Sequence, residues 1–280
     1  MRAKVPSQTQ VNRDGWTRPK LVASYAHRRL LPVESTIIAR HRDQLSGRIL
    51  ELGCGAGRLT GYLIDIAEMV HGIDLMPEMV QYCRRTYPGG TFSVGDLRDL
   101  SSFRRDSFDA VVAADNVIDV LDDDGRRDVL DQVRDVLVAD GLFVMSSHNL
   151  AAAPLIRRPT QIGSPSRREM ATNVLRLPLR LYNRRRLRPL ERHEADHAIL
   201  NDLAHDYSLL HYYVERDAQE RQFAEHGFTL VDCLDADCRL VAPGEQAQTC
   251  HWLHYVCTPS PADADRPPSD GGLGSATHRA

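Results

Sequence analysis

The chain has 280 residues, 42% of them hydrophobic, and a net charge of −3. That is enough for one large domain with a sizeable core, or two small ones. No run approaches the ~18–20 apolar residues of a membrane span. The N-terminus, MRAKVPSQTQVNRDG, has no apolar signal core, and the six cysteines at 54, 83, 233, 238, 250 and 257 lack paired spacing. Together these predict a cytoplasmic protein with reduced thiols.

Residues 1–15 are polar and are expected to be disordered. A helix is expected over residues 21–30, carrying Tyr25. Ser35 is placed to cap a second helix over 36–44. Residues 49–60 then read ILELGCGAGRLT. Ile49 and Leu50 end an apolar run that suits a buried strand. Gly53, Gly55 and Gly57 follow at alternate positions, where the backbone turns tightly and lets a ligand lie against it. From Arg58 to Met69 the spacing is helical, with Leu59, Leu63, Ile66 and Ala67 on one face. Strand, glycine turn and helix N-terminus form the nucleotide cradle of open α/β sheets.

A phosphate fits that cradle poorly. The dinucleotide fingerprint needs a third glycine where Arg58 stands, and the Gly-Lys-Ser/Thr of a P-loop is absent. The Glu51 carboxylate would repel an anion and suits a ligand with a cationic end. The segment closely resembles the first motif of class I S-adenosylmethionine-dependent methyltransferases, acidic-x-Gly-x-Gly-x-Gly at the end of the first strand. The resemblance implies that Glu51, Gly53, Cys54, Gly55 and Gly57 surround the amino-acid end of S-adenosyl-L-methionine, with Cys54 as a space filler.

The rest of the chain can be set against that pattern. A second strand over 69–75 ends at Asp74, 23 residues after Glu51, where an acidic residue accepts hydrogen bonds from ribose hydroxyls. Leu75 follows, and Pro77 opens a helix whose inner face is Met79, Val80 and Cys83. A third strand over 91–94 runs into Gly95-Asp96-Leu97. The resemblance implies that Asp96 meets the adenine amino group and the next backbone amide a ring nitrogen. A fourth strand over 108–114 ends in Asp115-Asn116. A helix over 125–139 follows, then a fifth strand over 141–146 that runs into Ser147-His148-Asn149. Singly, Asp74, Asp96 and Asp115 read equally well as turn or capping residues. Four acidic positions on four successive strand ends, at spacings of 23, 22 and 19 residues, carry more weight.

Near the C-terminus, residues 212–214 lead into a helix over 215–226 stopped by Gly227. Strands over 228–234 and 251–257 would be the antiparallel end pair. The fold expected is therefore α/β, a doubly wound, mostly parallel seven-stranded sheet with an antiparallel last strand. Its domain spans 16–258, and a Pro-, Gly- and Ser-rich tail over 259–280 is expected to be disordered.

Residues 150–207 are not required by that fold. Between Arg157 and Arg192 stand eleven arginines, with Glu169 and Glu191 as the only carboxylates. Three readings stay open: a solvated helical lid over the substrate, a lid whose arginines meet an anionic acceptor, or a membrane-surface or partner patch. Nucleic acid is disfavoured, because the pI is near 6.5 and no aromatic series accompanies the arginines. His193 and His197 match H-E-x-x-H formally. The neighbours are polar and no third ligand stands at the expected spacing, so no metal is assigned. His148, His205 and His211 are the candidate catalytic bases, in a region rich in Asp202, Asp206 and tyrosines.

The resulting expectation is an enzyme moving a methyl group from S-adenosyl-L-methionine to N or O of a small molecule, a specialised metabolite. Tyr25 is a lid contact, and Asp115 and Asn116 orient the cofactor or an amine. The alternatives are a non-catalytic accessory protein that binds the same cofactor, or transfer of a group other than methyl. Neither the acceptor nor the oligomeric state follows from the sequence.

Overall fold

The computed structural model describes residues 8–16, 29–155, 160 and 166–261. Residues 21–28 of the expected helix over 21–30, with Tyr25, and the tail beyond 261 lie outside them, and residues 29–30 are not helical.

Five parallel strands form the heart of the fold: β1 (Arg48–Leu52), β2 (Met69–Asp74), β3 (Thr91–Val94), β4 (Phe108–Ala113) and β5 (Leu137–Asn149), in the order β3-β2-β1-β4-β5. The strands are apolar on both faces, as a sheet covered on both sides requires. Alternate side chains of β1 show it. Leu50 and Leu52 join one core with Val129, Leu130 and Val133. Ile49 joins the other with Val33, Ile37 and Leu63. A strand β10 (Trp252–Pro259) runs antiparallel to β5, and β9 (Phe228–Leu234) runs antiparallel to β10. These seven strands are the expected sheet.

The helices follow the apolar spacing, with shifted ends. Helix α1 spans Gln8–Trp16, a segment expected to be disordered. Polar and apolar contacts both tie it down: the Gln8 amide donates to Asp119 O and Leu210 O, the Asn12 amide to Val120 O and Leu210 O, and Val11 is buried in a cluster with Leu187, Ile199 and Leu210. Helix α2 spans Pro32–Arg40, four residues earlier than expected. Pro32 starts it and Glu34 accepts from the Leu31 N–H at 2.8 Å, so Ser35 is inside the helix and does not cap it. Helix α3 (Thr60–Ile64) is a single short turn, and α4 (Pro77–Thr86) opens on Pro77 as expected. Helix α5 (Asp123–Val136) is capped by the Asp122 side chain on Gly125 N–H. Residues 137–139, expected to be its last turn, are extended and begin β5.

Segment 150–207 is not purely helical. It contains helix α6 (Arg167–Leu187) and a hairpin of β6 (Arg192–His193) and β7 (His197–Leu200). His193 and His197 thus stand on facing strands, not on one helix. Residues 211–214 form strand β8 (His211–Val214), antiparallel to β7 and parallel to β5 through His148↔Tyr213 and Asn149↔Val214. Because β10 also pairs with β5 at His148, β8 must take the other side of β5, beyond the last pairing of β4 at Met145. The seven-stranded sheet is therefore extended by three strands from the carboxyl end of β5. Helix α7 (Arg216–Glu225) follows β8, and Gly227, with φ of +75°, ends it. All six cysteines are free thiols.

Candidate active site

The carboxyl ends of β1 to β5 open onto one cavity of about 290 Å³. Its floor is the glycine turn. Gly53 has a φ of +61°, and a Cβ there would lie 2.2 Å from Val117 Cγ2. Asp74 holds this turn from the next strand. One carboxylate oxygen accepts from Gly55 N–H at 2.9 Å and the other from Met76 N–H at 2.8 Å. Gly57 plays a different part. Its φ is +78°, and it faces the Tyr87 ring, which a Cβ would strike at 2.2 Å. It lets the helix side pack and does not line the cavity. Cys54 is buried against Gly72 and Val80 and lines the cavity.

Glu51 is buried at the end of β1 and accepts from the Thr60 hydroxyl. Burial pushes its carboxyl up to about 7, against the pull of Thr60 and the Arg58 guanidinium. Arg58 binds Glu34 through both guanidinium nitrogens at 2.6 Å, tying the turn to α2. Asp96 lines the cavity at the end of β3 and is bonded to the Arg98 backbone and guanidinium, the latter at 2.6 Å. At the end of β4, Asp115 and Asn116 both have φ of +57°, a conformation Asp and Asn tolerate best among residues with a Cβ. Asn116 N–H donates to Ser146 Oγ, while its buried side-chain oxygen has no partner among the described residues. Leu75, Met79 and Leu97 complete this half. Of the residues the resemblance pointed to, all described ones line the cavity except Gly57.

The other half is a set of histidines and carboxylates. His148 Nδ1 lies 2.7 Å from Asp119 Oδ2, which also accepts from the His148 backbone N–H. The other Asp119 oxygen accepts from Arg126, whose guanidinium is fully buried and also donates to Ser147, Gln219 and Gln222. Burial works to raise the Asp119 carboxyl, but Arg126 and His148 outweigh it and hold it below the usual range. With Nδ1 committed to a carboxylate, Nε2 is the free nitrogen of His148, 4.0 Å from Asp202 Oδ2. That same Asp202 oxygen receives His211 Nδ1 at 2.8 Å and the Tyr213 hydroxyl at 2.7 Å. Burial opposes the charges here too, yet Asp202 stays low and His211 is raised above its ordinary value by Asp202.

His148, Asp202 and His211 bring ligand-type atoms within 4.8 Å of one another. The two imidazoles stack 4.9 Å apart at 23°, so their ring-plane lone pairs run nearly parallel and do not converge on one point. His205, the remaining candidate base, lines the cavity from a run of three left-handed residues, His205, Asp206 and Tyr207, with φ of 51°, 58° and 62°. Thr9, Asn12 and Trp252 also line the cavity and went unnoticed in the sequence, since their placement depends on contacts more than 100 residues away.

A methyltransferase-domain family model matches residues 49–141, which span β1 to the start of β5. This third of the chain is similar to the domain of S-adenosylmethionine-dependent methyltransferases. A ubiquinone biosynthesis O-methyltransferase of Xanthomonas oryzae is 30% identical over 97 residues, 33% of this chain and 41% of that protein. The chain thus matches about two fifths of the length of that curated relative. Among solved structures, a Burkholderia thailandensis 1,6-didemethyltoxoflavin-N1-methyltransferase with bound S-adenosylhomocysteine is similar in fold. It has a TM-score of 0.53 at 14% identity, with 93% of both chains covered. A Clostridium acetobutylicum S-adenosylmethionine-dependent methyltransferase has a TM-score of 0.53 at 13% identity, covering 81% of this chain and 90% of its own. The methyltransferase domain's own residues suit this family's cofactor. Glu51, a buried carboxylate, and Asn116 line a cavity whose floor has no room for a Cβ at Gly53.

Proposed function

We propose that the protein transfers a methyl group from S-adenosyl-L-methionine to an oxygen or nitrogen of a small, specialised metabolite. The observation that carries the reading is one continuous cavity that runs from Glu51, Asp74, Asp96 and Asp115 to His148. In this reading Glu51 faces the cationic amino-acid end, which would draw the carboxylate into its ionised form. Asp74 has spare lone pairs for ribose hydroxyls while it holds the glycine turn, and Asp96 with Leu97 lies beside the base. When bound, the cofactor supplies an electrophilic methyl group on a positively charged sulfur.

The rest of the work falls to the acceptor half. His148 is the best-placed base, because Asp119 fixes its tautomer and leaves Nε2 as the proton acceptor. A base held this way favours an acceptor that must lose a proton, such as a hydroxyl. The relatives include both an O- and an N-methyltransferase of small molecules by their descriptions. Two tests separate the parts of the reading. Calorimetry should show binding of S-adenosylmethionine and its demethylated product, and binding of NAD alone would sink it. Release of S-adenosylhomocysteine across a panel of phenols and amines should depend on His148, whereas binding without release on any acceptor would favour an accessory protein.

A further inference from the structure

Helix α6 carries the most unusual surface of the molecule. Of the twelve large apolar side chains that are exposed among the described residues, six are on this one helix: Met170, Val174, Leu175, Leu179, Leu181 and Tyr182. Leu175 is 81% exposed and Tyr182 63%. Scattered exposed leucines need no explanation, but a contiguous stripe does.

The helix has a docked face and an outer face. Arg180, Asn183 and Leu187 are buried and share one side by helical spacing. Arg180 Nε donates to Asp206 at 2.9 Å, and the Asn183 amide donates to Asp206 O at 2.9 Å. Met170, Val174 and Leu181 align on the opposite side, with Leu175 and Tyr182 next to them. Arg167, Arg168, Arg185 and Arg186 are exposed within or beside that stripe, and Arg188 follows at its end. Glu169 is the only carboxylate on the helix. The helix is strongly cationic in a chain whose net charge is −3.

We infer that α6 is an interfacial helix that docks the protein on an anionic phospholipid bilayer. The apolar side chains enter the acyl boundary while the arginines between and beside them extend their heads to phosphate groups. Charge selects this occupant. A second copy of the chain would bring two arginine-rich faces together with one glutamate apiece to offset them. No described helix is long and apolar enough to cross a membrane, so the helix lies on the surface. The docked face grips Asp206, the neighbour of the cavity residue His205, which puts the membrane contact beside the acceptor end of the cavity. The inference does not rest on the methyl-transfer reading.

Co-sedimentation of the full chain with vesicles tests it. Phosphatidylcholine vesicles containing phosphatidylglycerol should bind at least tenfold more tightly than phosphatidylcholine alone, and 1 M salt should weaken the binding. The triple change Leu175→Ser, Leu181→Ser, Tyr182→Ser should lower the partition coefficient at least tenfold, as should Arg185→Gln with Arg186→Gln. Circular dichroism and thermal melting should show both variants folded as the parent is. All the altered side chains are solvent-facing or only partly covered, so a folding failure would itself contradict the exposed assignment. No partition into either vesicle, or variants that partition as the parent does, would overturn the inference. So would a concentration-dependent dimer in sedimentation that the triple change abolishes without any vesicle binding; that result would give the face to a second copy.

Discussion

The two ends of the cavity are built in opposite ways. The Glu51 end is local: each acidic residue sits at the tip of its own strand, a few residues from the turn it governs, and adjacent strands hydrogen-bond them into a row. The His148 end is assembled from afar. Asp119 reaches His148 across 29 residues, Arg126 reaches Gln219 across 93, and Asn12 reaches Leu210 across 198. A nucleotide-type site can be made by any sheet that repeats one strand–turn–helix unit. The His148 end exists only once the whole chain has closed, so damage should also spread differently at the two ends.

The largest contrast is expected at Asp119. Changing Asp119→Asn leaves the Arg126 guanidinium in a fully buried place without its charge partner. Stability should fall by ~3–5 kcal/mol in chemical denaturation. An undiminished midpoint would mean that the buried pair does not tie this half together. His148→Gln comes next, with turnover reduced roughly 10²- to 10⁴-fold and cofactor affinity unchanged in calorimetry. A matching loss of affinity would erase the division between the two ends.

The Glu51 end should instead report through pH. Its folded carboxyl is raised to about 7 by burial, so between the unfolded value and 7 the folded state holds the proton more firmly. Stability from this group is therefore greatest in acid and is lost as pH rises through 7, by ~3 kcal/mol in all. A cationic ligand reverses the preference. Cofactor affinity should rise from pH 6 to pH 8, with protons released on binding, seen as a buffer-dependent heat. The smallest effect is at Asp74, where Asp74→Ala should weaken cofactor binding by ~1–3 kcal/mol. Because Asp74 also accepts from Gly55 and Met76, a loss confined to affinity would separate the ribose role from the turn-holding one.

The same contrast explains what could be read in advance. The strands β1 to β4, the glycine turn and the aspartates are legible because period, turn chemistry and spacing all act within some twenty residues. Gly57 was legible as a glycine that must be a glycine, but not as one that faces Tyr87, because the ring comes from the far end of α4. Strand β8 is only four residues long, and its pairing with β5 is 65 residues away in the chain, so HYYV reads just as well as a lead into the next helix. The α1 segment lacks an apolar face and reads as disordered. Its order comes from amide side chains that pair with distant backbone groups and from one valine, Val11, buried among distant apolar residues, which no composition signal carries. His148 was placed by its strand, while its partner Asp119 was hidden in a short 3₁₀ turn.

Strand β5 gives this division a practical edge. It is bonded to β4 along its first part, to β10 along its middle and end, and to β8 at its last two residues. His148 is therefore shared property: its backbone is part of the sheet and its ring part of the histidine–carboxylate wall of the cavity. In the proposed reading, acceptor choice cannot be transplanted by swapping residues 150–214 alone. A working chimera has to cut upstream of Ser146 and carry the end of β5, Asp119 and Asn12 along with it, since the seam between the modules runs through a strand and not through a loop.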